Sequence, residues 1–269
     1  MNLDVIEANR RVHSALISSG EYQKSPHRSQ ESIRRVCSVL SKIHPSPNKL
    51  MHLDIGCGDG FIFECKPANW VSHGVDATPA MLAECAKKHP YVVLQEGFAE
   101  ALPFPDSSFD VVTCYSFLDH LESTERFYSE TFRVLKPGGC FYFGLNPNRD
   151  FYESLRQSSR FELSDYLRNT VDLHLELQKA FDDGKYYEEN FGIDKNDLHQ
   201  CEPGKSVTKG LSYIDERAKI EALGVNDVRV EYEWVVQQNR LKPEEIGTLI
   251  KFLPFTSSCF KYFDLTGTK

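Results

Sequence analysis

Three glycines at alternate positions in Leu53–Gly60, LDIGCGDG, follow a short apolar run and stand where a strand turns into a helix. Glycine accepts positive φ and lets a ligand approach the main chain, while a following helix turns its unpaired N–H groups toward whatever sits there. An acid about twenty positions further on completes the pattern by taking the two hydroxyls of a ribose. Asp76, which closes GVDAT, stands at that distance. A proton acceptor is available in YSFLDHLES, where Asp119 precedes His120. An imidazole titrating near pH 6.5 accepts a proton at neutral pH, and a nearby acid would fix its tautomer, although adjacent residues rarely point the same way. The competing reading of His120 is a histidine that caps or packs the start of the next helix. In GEYQKSPHR, Tyr22 and His27 belong either to a segment folded over the ligand or to a surface loop.

These residues need a sheet to hold them. Apolar runs place strands at 49–55, 70–75, 91–95, 110–115 and 140–145. Helices are expected from Asp59, from Thr78–Pro79 and over Thr124–Leu135, the last stopping at KPGG. Strands alternating with helices force a parallel sheet covered on both faces, with ligands at the carboxyl ends of the strands. Gly56, Asp76, Phe98 and Tyr115 all fall at such ends. Before the sheet, residues 1–48 read as two helices, the second capped by Ser29. After it, residues 146–211 form a polar, aromatic-rich insertion whose firmest helix is VDLHLELQKAF. Residues 212–269 return to the sheet with a helix at SYIDERAKIEALG, a strand at VRVEYEWVVQ, a helix opening at Pro243 and a last strand near 260–265. The expected fold is α/β, a doubly wound mainly parallel sheet formed by 49–145 and 212–269. An N-terminal helical lid (1–48) and a helical cap (146–211) flank it.

A chain of 269 residues, 41% hydrophobic, buries a full core. Its net charge of −8 opposes a phosphate backbone, so nucleic acid is not the expected partner. No export-signal pattern or long apolar window stands out, so a cytoplasmic protein without a membrane partner is expected. The eight cysteines show no C-x-x-C pair and no zinc-ligand spacing, so neither a metal nor a disulfide framework is expected.

Four blocks in order, LDIGCGDG, GVDAT, EGFAEALPFPDSSFDVV and ETFRVLKPGG, carry a resemblance. Over 51–145 the chain resembles the class I S-adenosylmethionine-dependent methyltransferases, Rossmann-like in fold, of the small-molecule type related to the menaquinone- and ubiquinone-methylating enzymes. Its D-x-G-x-G-x-G differs from the G-x-G-x-x-G of dinucleotide dehydrogenases. The resemblance implies that Asp54 and the Gly56, Cys57 and Gly58 main chain hold the amino-acid end of the cofactor. It implies further that Asp76 takes the ribose and that Ala77 and Met81 flank the adenine. Where relatives often carry an acid or amide, this chain has Phe98, so adenine would be held by stacking on Phe98 and by the Ala99 amide. Cys114 and Tyr115 complete the cofactor set, and Tyr22 and His27 would close over the methionine end. CYSF in place of an N/D-P-P-Y/F tetrapeptide argues against RNA or protein acceptors. The expectation is methyl transfer to oxygen or nitrogen of a small, partly apolar or aromatic metabolite, with His120 and Asp119 as catalytic candidates. Alternatives are a non-catalytic binder of the same cofactor and a C-methyltransferase. The insertion's aromatics serve as a substrate pocket, as the core of a helical cap, or as the surface of a homodimer.

Overall fold

A computed structural model describes residues 3–158, 184–235 and 260–269. The expected helices at VDLHLELQKAF and after Pro243 lie outside the described residues. The chain opens with α1 (Leu3–Ser18) and α2 (Gln30–Ile43), joined by two 3-10 turns at Tyr22–Lys24 and Pro26–Arg28. Ser29 caps α2 by accepting from the Ser32 N–H, which satisfies one of the first-turn donors a helix leaves unpaired.

The sheet elements follow as β1 (Leu50–Ile55), α3 (Phe61–Cys65), β2 (Trp70–Asp76), α4 (Pro79–Lys88), β3 (Val93–Glu96), β4 (Phe109–Tyr115), α5 (Glu125–Val134) and β5 (Leu135–Pro147). Then come α6 (Arg149–Ser158), α7 (Lys185–Phe191), α8 (Lys195–Cys201), α9 (Pro203–Ser206), α10 (Tyr213–Glu221), β6 (Arg229–Val235) and β7 (Phe260–Thr268). The strands form one seven-stranded sheet in the order β3-β2-β1-β4-β5-β7-β6. It is parallel from β3 to β5, and β7 runs antiparallel to both β5 and β6.

Strand side chains alternate between faces, and both faces are covered. Leu53, Ile55, Val112, Cys114, Phe141 and Phe143 pack on one side with Phe127 and Phe132 of α5 and Ile220 of α10. Leu50, Val111 and Tyr142, the out-of-phase positions, pack on the other side with Val36 and Leu40 of α2 and residues of α3. Two boundaries differ from the sequence reading. Tyr91 is 96% exposed and precedes β3, because an edge strand needs only enough residues to pair with one neighbour. KPGG falls within the span of β5, with Leu135 already paired to Phe109 and an irregularity before Val111–Cys140. The helix therefore ends directly into a strand.

Candidate active site

The strand order reverses between β1 and β4, and the crevice at their carboxyl ends is where an open α/β sheet receives a ligand. A cavity of about 200 Å³ occupies it. Its floor is Asp54, Gly56, Cys57 and Gly58; Asp76, Ala77, Thr78 and Met81 line one flank, Phe98 and Ala99 the next, and Tyr115, Ser116, Phe117 and His120 the other. The N-terminal helix and turns supply the roof through Val5, Asn9, His13, Tyr22, His27 and Arg28.

The glycine turn is internally paired. The Gly56 and Cys57 N–H groups both donate to Val75 O, at 2.8 and 3.0 Å. The Gly58 N–H donates to Asp76 Oδ2 at 2.9 Å, and the Thr78 N–H to Asp76 Oδ1 at 2.8 Å. A carboxylate offers about four lone-pair sites, so Asp76 keeps capacity for two hydroxyls. Burial raises its pKa, opposed by those N–H bonds. Gly56 and Gly58 have φ of +66° and +51°. A Cβ on Gly56 would lie 2.1 Å from the Phe117 ring, and one on Gly58 would lie 3.3 Å from the Tyr22 hydroxyl. The close approach that demands glycine here is thus made by the chain's own aromatic residues.

Asp54 is buried, and its Oδ1 accepts from Thr113 Oγ1 at 2.6 Å. Thr113 Oγ1 also meets His52 Nε2 at 2.8 Å, and His52 Nδ1 meets Ser72 Oγ at 2.9 Å. Burial pushes the Asp54 carboxyl up to about 8, with the Thr113 bond opposing and the Asp76 charge adding to the rise. Burial keeps His52 neutral by lowering it to about 3. A carboxyl held this way could pair with a cation only by releasing its proton.

Asp59, fully enclosed, anchors the roof. Arg28, Lys88 and Gln23 all converge on its carboxylate. Burial raises the Asp59 pKa, but Arg28 and Lys88 outweigh it and leave the group below the ordinary carboxylate range. The Arg28 guanidinium lies over the Tyr22 ring, 4.8 Å from its centroid. Helix α1 is tied to the rim by Arg10, whose Nε donates to Ala77 O at 2.8 Å. His27 sits against Tyr262 of β7, ring centroids 5.2 Å apart, and burial lowers it to about 3.

His120 ends a 3-10 turn at Leu118–His120, and its Nδ1 lies 2.7 Å from Cys201 O. A carbonyl only accepts, so Nδ1 carries the proton and the neutral ring presents Nε2 as an acceptor. Asp119 does not perform the orienting expected of it. Its carboxylate is buried outside the cavity lining and pairs with Lys205 Nζ at 2.7 Å, while His120 Nδ1 is committed to Cys201 O. Burial raises Asp119, Lys205 outweighs it, and the group stays below its ordinary value. Ligand atoms of Asp119, His120 and Glu202 lie within 4.8 Å of one another, and the Lys205 ammonium stands between the two acids, 2.7 Å from Asp119 and 3.1 Å from Glu202. Cys114 also departs from its expected role: β4 alternation turns it into the apolar core, and Tyr115 alone of the pair faces the cavity. The Cys57 side chain packs with Phe63 and Cys85, so its main chain is what lines the site.

The described insertion aromatics leave the cavity. Tyr187 and Phe191 pack with Ala8 and Val12 of α1, Phe151 and Tyr152 are buried against each other, and Tyr186 is exposed. Phe161, Tyr166 and Phe181 lie outside the described residues. The cavity's rings come instead from Tyr22, Phe61, Phe98, Tyr115 and Phe117. Sequence reasoning missed Asn9, His13, Arg28 and Phe117. Val5, Asn9 and His13 follow an i, i+4, i+8 spacing on α1, a stripe that a search for apolar periodicity alone passes over.

Residues 53–143 match a family model described as a methyltransferase domain. A demethylmenaquinone methyltransferase of Chlorobaculum parvum is 39% identical over 94 residues, 35% of this chain and 39% of the relative's length. One from Symbiobacterium thermophilum is 32% identical over 148 residues, 51% of this chain and 55% of the relative. The chain thus spans about two fifths to a little over half of the length of these curated relatives. Among solved structures, a possible histamine N-methyltransferase of Thermotoga maritima superposes with a TM-score of 0.56 at 17% identity, covering 97% of this chain and 99% of the other. A methyltransferase of Archaeoglobus fulgidus gives 0.56 at 18%, covering 93% and 99%. At such identities the superpositions establish the fold.

Proposed function

From a chain that has the class I S-adenosylmethionine-dependent methyltransferase fold, with its methyltransferase domain at residues 53–143, we infer an enzyme that methylates oxygen or nitrogen of a small, partly apolar or aromatic metabolite. The observation that carries the reading is one cavity holding both Asp54 and Asp76 on the β1–β2 side and the His120 imidazole on the β4 side. Asp76 would accept the ribose hydroxyls, with Met81 and Phe98 beside the adenine. Because the Gly56 and Cys57 N–H groups are already spent on Val75 O, the α-ammonium of the amino-acid end would be received by Asp54 and by main-chain carbonyls. The cofactor supplies an electrophilic methyl on a sulfonium: as the acceptor's lone pair bonds to carbon, the carbon–sulfur pair stays with sulfur. The protein's part is to align and to exclude water, which can supply roughly 7–11 kcal/mol of a bimolecular barrier. His120 Nε2 takes the acceptor's proton. The aromatic rings that line the cavity among the described residues fit an apolar or aromatic acceptor of modest size.

Calorimetry should give micromolar-scale binding of S-adenosylmethionine that Asp76→Ala abolishes; unchanged binding would refute the ribose assignment. Labelled-methyl transfer to a panel of phenols, alcohols and amines should fall about 100-fold or more in His120→Ala, with cofactor affinity intact. A change below threefold would return His120 to a packing role. Binding without transfer to any acceptor would favour a non-catalytic binder.

A further inference from the structure

Opposite His120 stands a second histidine. His13 lies one turn beyond Asn9 on α1, and its ring centroid is 5.2 Å from that of His120, tilted by 57°. The placement is held at a single carbonyl: Cys201 O accepts from His120 Nδ1 at 2.7 Å and from Asn9 Nδ2 at 3.0 Å. The residue pair therefore keeps its spacing through α8, not through a bond between the rings.

We infer that His13 is an acceptor-binding residue which, together with His120, holds one hydroxyl oxygen of the substrate between two imidazoles of opposite hydrogen-bonding sense. This rests on the methyltransferase reading above. His13 Nδ1 is shut off from water and has no hydrogen-bond partner. With no acceptor in reach of Nδ1, a proton there would be wasted, so the neutral ring carries its hydrogen on Nε2 and serves the cavity as a donor. Burial above all lowers His13 to about 3 and keeps it neutral across the physiological range. His120 has the reverse arrangement, Nδ1–H committed to Cys201 O and Nε2 an acceptor. A substrate O–H donates to His120 Nε2 and accepts from His13 Nε2–H. On transfer the hydroxyl proton passes to His120, forming an imidazolium, and the oxygen's lone pair forms the new bond to carbon. An amine bearing no lone pair beyond the reacting one could not use the His13 donor, so the pair selects a hydroxyl, as in a phenol or enol.

The test uses 4-nitrophenol, whose ionisation is read by absorbance, on the full chain saturated with S-adenosylhomocysteine. Wild type should bind it saturably and shift it toward its ionised form. His13→Leu should weaken binding at least tenfold and abolish the shift. His13→Gln, which keeps a donor near the Nε2 position, should stay within threefold, and all three proteins should bind S-adenosylhomocysteine within twofold. Equal losses in Leu and Gln, or no loss in either, would overturn the proposal, as would absent binding to wild type. Failure of wild type to bind S-adenosylhomocysteine would refute the cofactor reading instead, and the titration repeated without it would still decide the role of His13.

Discussion

Replacing Asp54 by asparagine tests whether the β1 carboxyl is held neutral. Asparagine keeps an oxygen for Thr113 Oγ1, which lies 2.6 Å from Asp54 Oδ1, and cannot ionise. Burial raises Asp54 from 3.8 to about 8, so between those values the folded chain binds a proton that the unfolded chain has released. Stability carried by this group is full below pH 3.8 and is lost as pH rises toward 8. Each pH unit is worth about 1.4 kcal/mol, so wild type should lose about 2–3 kcal/mol between pH 5 and pH 7 that Asp54→Asn does not. The assay is urea unfolding at pH 5, 6 and 7, comparing midpoints at equal m-values. The variant should gain on wild type at each step. Parallel curves would mean that Asp54 is ionised in the folded protein, and the account of a carboxyl held neutral by burial would fall. In the same frame, S-adenosylhomocysteine binding to wild type at pH 7 should release close to one proton, measured by calorimetry in buffers of different ionisation enthalpy.

Gly56→Ala must place a Cβ 2.1 Å from the Phe117 ring at φ +66°, and should cost about 2–5 kcal/mol; adding Phe117→Ala should recover the steric part only, as read by denaturant midpoints. Lys205→Met leaves the Asp119 carboxylate, 1% exposed, without its ammonium, and should cost about 3 kcal/mol, with Asp119→Asn in the same chain recovering most of it; no recovery would mean that Lys205 acts by packing. Asp59→Asn removes the charge on which Arg28 and Lys88 converge, so proteolysis within 21–29 should become faster and ligand affinity weaker, whereas an unchanged cleavage rate would show that the roof is held by its apolar contacts.

The parallel core was legible because its signals are local. LDIGCGDG, GVDAT and the strand runs place Gly56, Asp76 and Tyr115 at strand ends within a residue or two of the boundaries found, since alternation and glycine turns act over a few residues. The β1–β2 side of the cavity, with Asp54, Gly56, Gly58 and Asp76 in its lining, was legible for the same reason. The β4 side was not. Asp119 beside His120 suggested a pair, yet Lys205, 86 positions later, takes the acid, and Cys201 O takes the imidazole.

What the amino-acid sequence determined by itself was a sheet with a ligand crevice at a known place, because backbone geometry and side-chain period need no distant partner. Tertiary structure alone decided which groups face that crevice. Whether Asn9, His13 and Arg28 meet Cys201 O, His120 and Asp59 depends on how α1 and α8 close over the glycine turn. Such contacts join segments tens to nearly two hundred residues apart, and no local pattern of residue types encodes them.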